Sequence, residues 1–551
     1  MDRSGHHFAI ACMDFQENMA PGTVRTNRNS PMLRANLYVA LALCWFSAES
    51  ATAAVAPILK LDCQTARPCQ GVSLRGTGFA ANESLPVRLC STTTIVPGVS
   101  CLRSTWGRPY PIAPAYSGKC VTIGTTTTTA TGDLSQTCRI PGNLPPGSYQ
   151  LQVGGANVPL IVRADWPQLG GDQAHRGAIV DETILDASTV GAVRQAWSVQ
   201  LTGDLVAQAI EKDGILVAAS TSGKLAALDP ANGHPLWTFQ TTGASRLVGS
   251  PAAHGDSICV AAEDGAVYVL SLGKGELLWK ASVPAAVTGS VTAGNGFYIP
   301  ASNGRVYAFP ATCKSASCAP LWNVAAPAAI TGAATIVNEL LYVGTTRGDL
   351  VAFNLAECSL GPAACAPCIA TNLGAPISGT AASFVDDPRF NVLFVAAGRT
   401  ACAFHPYAKA KVSPTTPVLK GLTQGAITSS PAFDTRPVPG KRGSSRFTYV
   451  GDETARLYCF RVEEANISSG AKPQWTFQAS GPVRGAMVLA NGVLFAVSED
   501  GYLYALDIVR GTLLLKAALS APSTGSPMVV NGTIFVGDSK GVLHAFQRAG
   551  Q

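Results

Sequence analysis

The chain has few charged residues and no strongly basic segment. Only 13% of its 551 residues are Asp, Glu, Lys or Arg, and the formal net charge is +6. Proteins that follow nucleic-acid phosphates carry clustered Lys and Arg, so we expect no nucleic-acid partner. Long surface helices also need more charged residues than this, and the composition therefore favours short strands joined by turns.

The chain also lacks a convincing membrane-spanning run. Its apolar stretch at 35–48 follows Leu33-Arg34 and precedes a small-x-small motif at 51–53. The stretch is too short and too weak for a spanning helix, and the pattern predicts a signal peptide over 32–53. Residues 1–31 are then a disordered or non-native extension, and either Met1 or Met32 can be the translation start. We expect an exported protein, in the periplasm, at the cell surface or outside the cell, with no transmembrane span in the mature chain.

No two of the sixteen cysteines are adjacent. Fourteen of them follow residue 53, six between Cys63 and Cys138 and eight between Cys259 and Cys459. Two even sets indicate disulfides formed in an oxidising compartment. Short loops cost the least entropy to close. The least demanding pairs are therefore Cys63–Cys69, Cys90–Cys101, Cys120–Cys138 and Cys313–Cys318.

Five further cysteines have local contexts that matter. Cys365 and Cys368 form a C-x-x-C in a Pro/Ala-rich loop near Cys358. A second C-x-x-C is missing, so we predict a structural disulfide between the fourth and fifth repeats rather than a zinc site. Cys402 and Cys459 fall inside predicted strands and are expected to be small buried residues.

Short strands repeat along most of the chain. The chain has 55 Gly and 36 Pro, and its apolar runs are short and bounded by turn formers. A third-strand signature recurs eight times at intervals of 39 to 56 residues, with first residues Leu225, Val267, Val306, Leu350, Ala401, Leu457, Leu503 and Leu543. This period without helical periodicity predicts an all-β chain, with an eight-bladed β-propeller over 164–551. Seven blades is the alternative if the degenerate fifth copy is not a blade.

Small residues begin the inner strand of most copies, as in Val248-Gly-Ser250 and Thr288-Gly-Ser290. They are expected where inner strands crowd around a central channel. Outer strands end in Trp237, Trp279, Trp322 and Trp475, with Leu515 in the corresponding place of the seventh copy. A flat indole fills the gap between adjacent blades, so a structural role for these tryptophans is favoured over a binding cage.

The last copy stops after its third strand. The segment 193–199, with Trp197, has the missing fourth-strand pattern. We therefore predict that this N-terminal strand completes the last blade and closes the ring, which removes exposed edges.

Residues 54–163 have a different composition, with six cysteines and few charges. Alternating apolar and polar residues beside turn signals predict a small disulfide-rich β-sandwich. The pieces LRGTGF at 74–79 and LPPGSYQLQV at 144–153 resemble immunoglobulin-like modules of the IPT/TIG type. A spacer or adhesive module is the favoured interpretation.

The repeat itself resembles that of PQQ-like propellers. The pattern G-x-L-x-A-L-D followed by Gly and Trp runs from Gly223 to Trp237, and the lead-in WPQLGGDQAHRG at 166–177 is similar to the corresponding segment of that superfamily. The resemblance implies the propeller fold. It leaves function open, because the superfamily includes quinoprotein dehydrogenases, a lipoprotein propeller of barrel assembly and uncharacterised exported proteins.

The dehydrogenases of this superfamily hold PQQ over Ca²⁺, use an Asp base and often carry a vicinal Cys-Cys ring. Hard Ca²⁺ needs several converging oxygen ligands. Here the channel triplets are small, and the acidic residues fall mainly in turns. The sequence therefore favours a non-enzymatic binding or assembly platform with a protein or peptide partner in the envelope, without cofactor, metal or catalytic residues. The alternatives are a PQQ- and Ca²⁺-dependent oxidoreductase and a cell-surface protein for adhesion or glycan contact.

The candidate binding residues lie at the predicted channel rim. Arg484 stands in the seventh triplet where neighbours have Val, Thr or Ser, and Arg246 lies two residues before another triplet. Together they predict a cationic rim for a carboxylate or an acidic peptide, with solvated loop arginines as the alternative. The full candidate set is Arg246, Thr288, Thr428, Arg484 and Thr524.

Overall fold

The structure is a computed structural model of the chain. It describes residues 56–66, 70–91, 119–141, 144, 146–179, 182, 184–361, 365–384, 392–405, 417–437, 444–462 and 470–549. The predicted signal peptide and the N-terminal extension lie outside these residues. The chain divides into two units, residues Met1–Ala56 and Pro57–Gln551, and the second unit contains all of the β-sheets described. No helix in the described residues is long and apolar enough to cross a membrane.

Two β-sheets form the front part of this unit. Their strands are β1 (Ile58–Leu61), β2 (Thr65–Ala66), β3 (Gly71–Thr77), β4 (Ser84–Cys90), β5 (Cys120–Thr127), β6 (Leu134–Arg139), β7 (Gly147–Val153) and β8 (Ala156–Val162). The sheet orders are β1-β3-β6 and β2-β8-β7-β4-β5, and both sheets contribute to one hydrophobic core. Every second residue along β3 is buried, as expected for a strand that turns one face toward the core. The immunoglobulin-like resemblance stays a prediction.

The disulfides correct part of the predicted pairing. Cys90 is bonded to Cys120, which lies directly opposite it across β4 and β5, so the predicted pairs Cys90–Cys101 and Cys120–Cys138 are wrong. Strand pairing brings Cys90 and Cys120 together although they are 30 residues apart in sequence. An argument from loop length favours shorter loops and therefore misses this pair. Cys313–Cys318 is confirmed. Cys69, the predicted partner of Cys63, lies outside the described residues.

The other cysteines behave largely as predicted. A disulfide is present near the C-x-x-C motif, but it joins Cys365 to Cys358, inside the fourth repeat, and leaves Cys368 reduced. Cys402 and Cys459 are buried, as predicted, and burial raises the pKa of Cys402 to about 11 and that of Cys459 to about 12. Such thiols are protonated at neutral pH and unreactive.

Between the front part and the repeats the chain forms β9 (Ala178–Ile179), a short 3₁₀ helix (Val190–Ala192) and β10 (Val193–Gln200). The first four repeats are β11 (Ile210–Lys212), β12 (Ile215–Ala219), β13 (Lys224–Leu228) and β14 (Pro235–Gln240); β15 (Ala252–His254), β16 (Ser257–Ala261), β17 (Ala266–Ser271) and β18 (Leu277–Ser282); β19 (Thr292–Ala293), β20 (Gly296–Pro300), β21 (Arg305–Pro310) and β22 (Trp322–Ala325); and β23 (Thr335–Val337), β24 (Leu340–Gly344), β25 (Asp349–Asn354) and β26 (Pro367–Asn372). A 3₁₀ turn (Thr242–Ala244) and helix α1 (Leu355–Ser359) lie among them.

The remaining repeats are β27 (Ala382–Phe384), β28 (Val392–Ala397), β29 (Thr400–Phe404) and β30 (Pro417–Leu422); β31 (Ala432–Pro437), β32 (Ser444–Gly451), β33 (Arg456–Val462) and β34 (Pro473–Gln478); β35 (Val488–Ala490), β36 (Val493–Ser498), β37 (Tyr502–Asp507) and β38 (Leu513–Ala518); and β39 (Met528–Val530), β40 (Thr533–Gly537) and β41 (Val542–Arg548). Each group of four consecutive strands from β11 to β38 is one antiparallel sheet, and β9 adds a parallel strand beside β35. The prediction of an all-β chain is confirmed.

The eighth sheet takes its outer strand from the other end of the repeats. β10 pairs antiparallel with β41, and the strand order of this sheet is β10-β41-β40-β39. In this register Trp197 lies opposite Ala545 and Val199 opposite Leu543. We interpret the eight sheets as the blades, numbered first to eighth from β11 onward, with β10 joining the ends of the ring.

Small residues allow the inner strands of neighbouring sheets to approach closely. A Cβ added to Gly289 would lie 2.6 Å from the carbonyl oxygen of Gly332, which no real side chain tolerates. Hydroxyl groups bind the same neighbours together, since the Ser250 N–H donates to Ser290 Oγ at 2.9 Å. We call these positions the inner ring: Gly249, Gly289, Gly332, Gly379, Ser429, Gly485 and Gly525, with Ala207 at the corresponding place before the first sheet.

A glycine-to-alanine pair tests this constraint. Gly289→Ala forces a methyl group against backbone atoms of Gly332, so we expect the free energy of unfolding to fall by about 2 kcal/mol. Gly273→Ala is the control, because a Cβ there meets nothing within 4 Å. Urea unfolding of both variants measures the difference. Equal loss in the two variants would contradict close packing at the ring.

Candidate functional site

The lead-in segment, residues 164–185, binds the innermost strands of successive sheets. The Pro167 carbonyl accepts from the Ala253 N–H of the second sheet at 2.8 Å. Two later carbonyls do the same for the fourth and fifth sheets, with Gln173 accepting from Ile336 at 2.8 Å and Ala174 from Ser383 at 2.9 Å. The segment therefore follows the inside of the propeller rather than its surface.

Its remaining contacts reach the other sheets. Backbone bonds join Trp166 to Glu211 of the first sheet, and the Gln168 side chain exchanges two bonds with the Ala293 backbone of the third. β9 pairs with β35 of the seventh sheet, and Glu182 accepts from the Gly532 N–H of the eighth at 2.9 Å. One stretch of chain thus joins seven of the eight sheets by hydrogen bonds.

Gln208 holds the start of this segment. Its Oε1 accepts from the Trp166 indole N–H and from the Gly170 N–H, each at 2.9 Å, and its Nε2 donates to the Pro527 carbonyl at 2.6 Å. Trp166 and Gln208 are both buried. The sequence contained a signal for this role, because Gln208 occupies the place where other copies have a small residue.

His175 fixes the turn of the segment. It is fully buried with a positive φ of 48°, and its Nδ1 contacts the Leu169 carbonyl at 2.6 Å. Its Nε2 lies 2.9 Å from the Ala334 carbonyl and 3.2 Å from Thr292 Oγ1. Burial lowers the pKa of His175 and the two carbonyl contacts oppose this shift, so the ring is a buried structural bridge between the turn and the fourth sheet.

The side chain of Leu169 lies across the inner ring. It packs with Ala333 of the fourth sheet and Ala486 of the seventh, which adjoin the inner ring on well-separated sheets. The lead-in segment therefore blocks the central channel at the level of the inner ring, and a ligand can approach that level only from the opposite side.

The residues on that opposite side form the rim. They precede the inner ring by one position in every sheet, whereas the strands that contact the lead-in segment follow it. Backbone bonds hold the loops around them, as between Glu263 N–H and the Arg246 carbonyl at 2.8 Å. We define the rim as Val206, Val248, Thr288, Thr331, Ser378, Thr428, Arg484 and Thr524.

Four of the five candidate residues belong to the rim, and Arg246 lies in an adjoining loop. Thr288 and Thr524 are exposed, and Thr428 is half-buried. The hydroxyl oxygens of Thr331 and Thr428 are buried without a hydrogen-bond partner. The structure brings the candidates to one mouth, and a binding role for them stays a prediction.

Carboxylates lie beside both candidate arginines. Arg484 is half-buried and forms ion pairs with both Glu453 and Glu499. Arg246 is exposed and lies 3.5 Å from Glu263. Both arginines are therefore paired with carboxylates, which reduces the positive charge that they present at the mouth, and the cationic rim stays a prediction. The sequence did not reveal these partners because they come from turns of neighbouring strands.

The mouth does not offer the ligands that PQQ with Ca²⁺ would need. Among the described residues no group of three His, Cys, Asp or Glu side chains is placed to hold a metal ion. Glu453 and Glu499 are engaged by Arg484, and Leu169 occupies the axis below. Hard cations require several free oxygen ligands, so the described residues do not fit the cofactor.

A Ser, His and Asp cluster that the sequence did not reveal lies in the eighth sheet. His544 Nε2 is 3.0 Å from Asp538 Oδ2 and 3.4 Å from Ser520 Oγ, while Nδ1 faces Gln195 Oε1 at 2.9 Å. Both groups approach the same ring nitrogen, whereas a nucleophile and its orienting acid need opposite nitrogens. Tyr458 bonds Asp452 at the corresponding place of the sixth sheet, so the cluster is a structural fastening.

The front part meets the propeller at Glu211. Glu211 accepts from Arg163 Nη2 at 3.2 Å and from Asn531 Nδ2 at 2.9 Å. Burial raises the pKa of Glu211 to about 7, against the opposing effect of Arg163. The Ala164 backbone bonds the Asn531 side chain as well, so the lead-in segment begins from a fixed point.

One known protein family matches most of the repeat region of the chain. The family profile described as outer membrane protein assembly factor BamB matches residues 184–359 and 430–551. The unmatched interval contains β27–β30, the degenerate fifth repeat. None of the curated protein sequences matches the chain.

Solved structures share the fold at low sequence identity. BamB from Moraxella catarrhalis is 16% identical, with 65% of this chain and 98% of that one covered at a TM-score of 0.50. Quinohemoprotein alcohol dehydrogenase from Comamonas testosteroni is 14% identical, with 70% and 81% covered at 0.52. The dehydrogenase ADHIIG from Pseudomonas putida HK5 is 12% identical, with the same coverage at 0.51. These likenesses confirm the predicted fold class and show nothing beyond it.

Removing the Gln208 amide should loosen the lead-in segment. Gln208→Leu leaves two N–H groups and one carbonyl without their partner, so we expect the free energy of unfolding to fall by at least about 2 kcal/mol. Hydrogen exchange of the Trp166 indole should rise with it. Gln474→Leu, at an exposed position, is the control. An unchanged exchange rate at Trp166 would contradict the role of Gln208.

Glu211 should make stability depend on pH. Its pKa is 4.5 when unfolded and about 7 when folded, so the folded state binds the proton more tightly between these values. The free energy of unfolding should therefore rise by up to about 3 kcal/mol as the pH falls from 7 to 4.5. Denaturant unfolding of Glu211→Gln should lose this slope, and the exposed control Glu276→Gln should keep it. Identical slopes in both variants would refute a raised pKa.

Proposed function

The chain belongs to the family described as outer membrane protein assembly factor BamB, and from this premise we propose an exported, non-enzymatic binding or assembly platform in the cell envelope. Its partner is a protein or peptide that docks at the rim. The disulfides Cys90–Cys120 and Cys313–Cys318 support export, because such bonds persist in oxidising compartments.

The observation that carries the proposal is the blocked channel. Because Leu169 packs with Ala333 and Ala486, the lead-in segment occupies the centre beside the inner ring, and a partner would approach the ring from the rim side. The rim is held by backbone bonds between neighbouring loops and is therefore rigid. A rigid surface loses little entropy on binding, which suits a docking platform.

The rim also indicates the chemistry of the partner. The carboxylates of Glu263, Glu453 and Glu499 outnumber the guanidinium groups beside them. The exposed rim residues Thr288, Ser378 and Thr524 carry hydroxyl groups that can form hydrogen bonds with an incoming polar group. We therefore favour an extended segment with basic and amide groups, instead of the acidic peptide that the sequence suggested.

Bulky rim variants test the docking site. Thr288→Trp and Thr524→Trp place indoles at exposed rim positions, so capture of envelope proteins by the purified chain should fall at least tenfold. Thr476→Trp, at an exposed position of β34, is the matched control. Quantitative mass spectrometry of cross-linked partners measures the loss. Equal capture by the rim variants and the control would place docking elsewhere.

The oxidoreductase alternative has its own test. We expect no bound quinone chromophore and no dye reduction after incubation with PQQ and Ca²⁺, because no group of three His, Cys, Asp or Glu side chains in the described part of the chain is placed to hold the metal ion. Absorbance of the repurified protein measures binding. A stoichiometric chromophore with dye reduction would overturn the non-enzymatic proposal.

A further inference from the structure

Tryptophans close most of the seams between neighbouring sheets. Each outer strand has one inward position opposite the third strand, and five of these positions hold indoles: Trp197, Trp237, Trp279, Trp322 and Trp475. The indole N–H of Trp237 donates to the Leu272 carbonyl of the next sheet at 2.8 Å, and that of Trp475 to the Ile508 carbonyl at 2.9 Å. The predicted structural role of these tryptophans agrees with these contacts.

A glycine hairpin of the next sheet packs against several of these indoles. A Cβ added to Gly275 would lie 2.5 Å from the Trp237 ring, and one added to Gly511 would lie 2.6 Å from the Trp475 ring. Both glycines sit in the turn between the third and fourth strands of their sheets. A filled seam therefore needs an indole on one side and this hairpin on the other.

The seam between the seventh and eighth sheets lacks both parts. Leu515 stands opposite Ala505 at the position where the sixth sheet has Trp475. The eighth sheet has no turn between its third and fourth strands, because β10 comes from the N-terminal side of the repeats. A groove of about 440 Å³ lies at this seam, between β38 and β10.

The groove has apolar walls and one cation at its edge. Leu515, Phe546 and Val193 line it and are buried. Arg194 also lines it, and its Nη1 donates to the Gly191 and Val193 carbonyls at 3.1 and 2.7 Å. Lys516 contributes to the wall as well, but its ammonium group lies over the Tyr502 ring at 4.0 Å.

The geometry points to this groove as a docking site for a tryptophan side chain of a partner protein, carried on an extended segment with an adjacent carboxylate. Five equivalent seams of the same chain hold an indole, so the repeat itself defines the shape and chemistry of the missing group. The volume lies within the range of small-molecule sites, and the Arg194 guanidinium suits a carboxylate beside the indole. The groove is distinct from the rim and does not depend on it.

Two small probes test the site on the full chain. N-acetyltryptophan amide represents the neutral indole, and indole-3-acetate adds the carboxylate. We expect both to bind with millimolar affinity by ligand-observed NMR, and Leu515→Trp to weaken both at least tenfold by filling the groove. Arg194→Gln should weaken indole-3-acetate alone. Absence of binding by either probe at millimolar concentration would overturn the proposal.

Matched variants separate groove filling from general damage. Leu422→Trp adds an indole at an exposed position away from the seam and should leave probe binding unchanged. Leu515→Met keeps the volume of the side chain and should retain binding, which shows that the seam folds when residue 515 is altered. The rim variant Thr288→Trp should also bind the probes normally. Equal affinity of Leu515→Trp and the unaltered chain would refute the site.

Discussion

The close approach of the inner-strand backbones is the constraint on which the rest of the structure depends. Between Gly289 and Gly332 there is no room for a single carbon atom. Neighbouring sheets can share hydrogen bonds from a backbone N–H to a hydroxyl oxygen only because these positions are so small. The gaps between neighbouring sheets are wider at the outer strands, where five sheets place a tryptophan. The inner strands therefore require small residues, whereas the outer strands accept large ones.

The narrow centre also explains the lead-in segment. Inner strands face the channel with backbone groups and small side chains, and such groups are costly to bury without partners. The segment forms hydrogen bonds with many of these groups from Trp166 onward. The side chains of Gln208 and His175 add further bonds between the segment and the inner strands. The segment thereby fills the centre on one side of the inner ring, and the proposed docking site is the rim on the other side.

Much of the fold could be predicted because repeats make local signals add up. Turn residues, apolar runs and the pattern around Trp197 identified the strands, including the one that pairs with β41. Pairings that depend on three-dimensional neighbours could not be predicted. Cys90 meets Cys120 across a strand pair, and Arg484 meets Glu453 from the neighbouring sixth sheet and Glu499 from a turn of its own sheet. Single residues that break the repeat, such as Gln208 and Leu515, were visible in the sequence, but their meaning required the structure.

The pairing of β10 with β41 has a consequence for biosynthesis. Gln195 and His544, which contact each other in this sheet, are 349 residues apart in the chain. An N-terminal strand made early must therefore wait for the last residues to be synthesised before its edge is covered. During that interval the uncovered edge of β10 can pair with other chains, and any change that prevents β41 from folding would leave this edge open permanently.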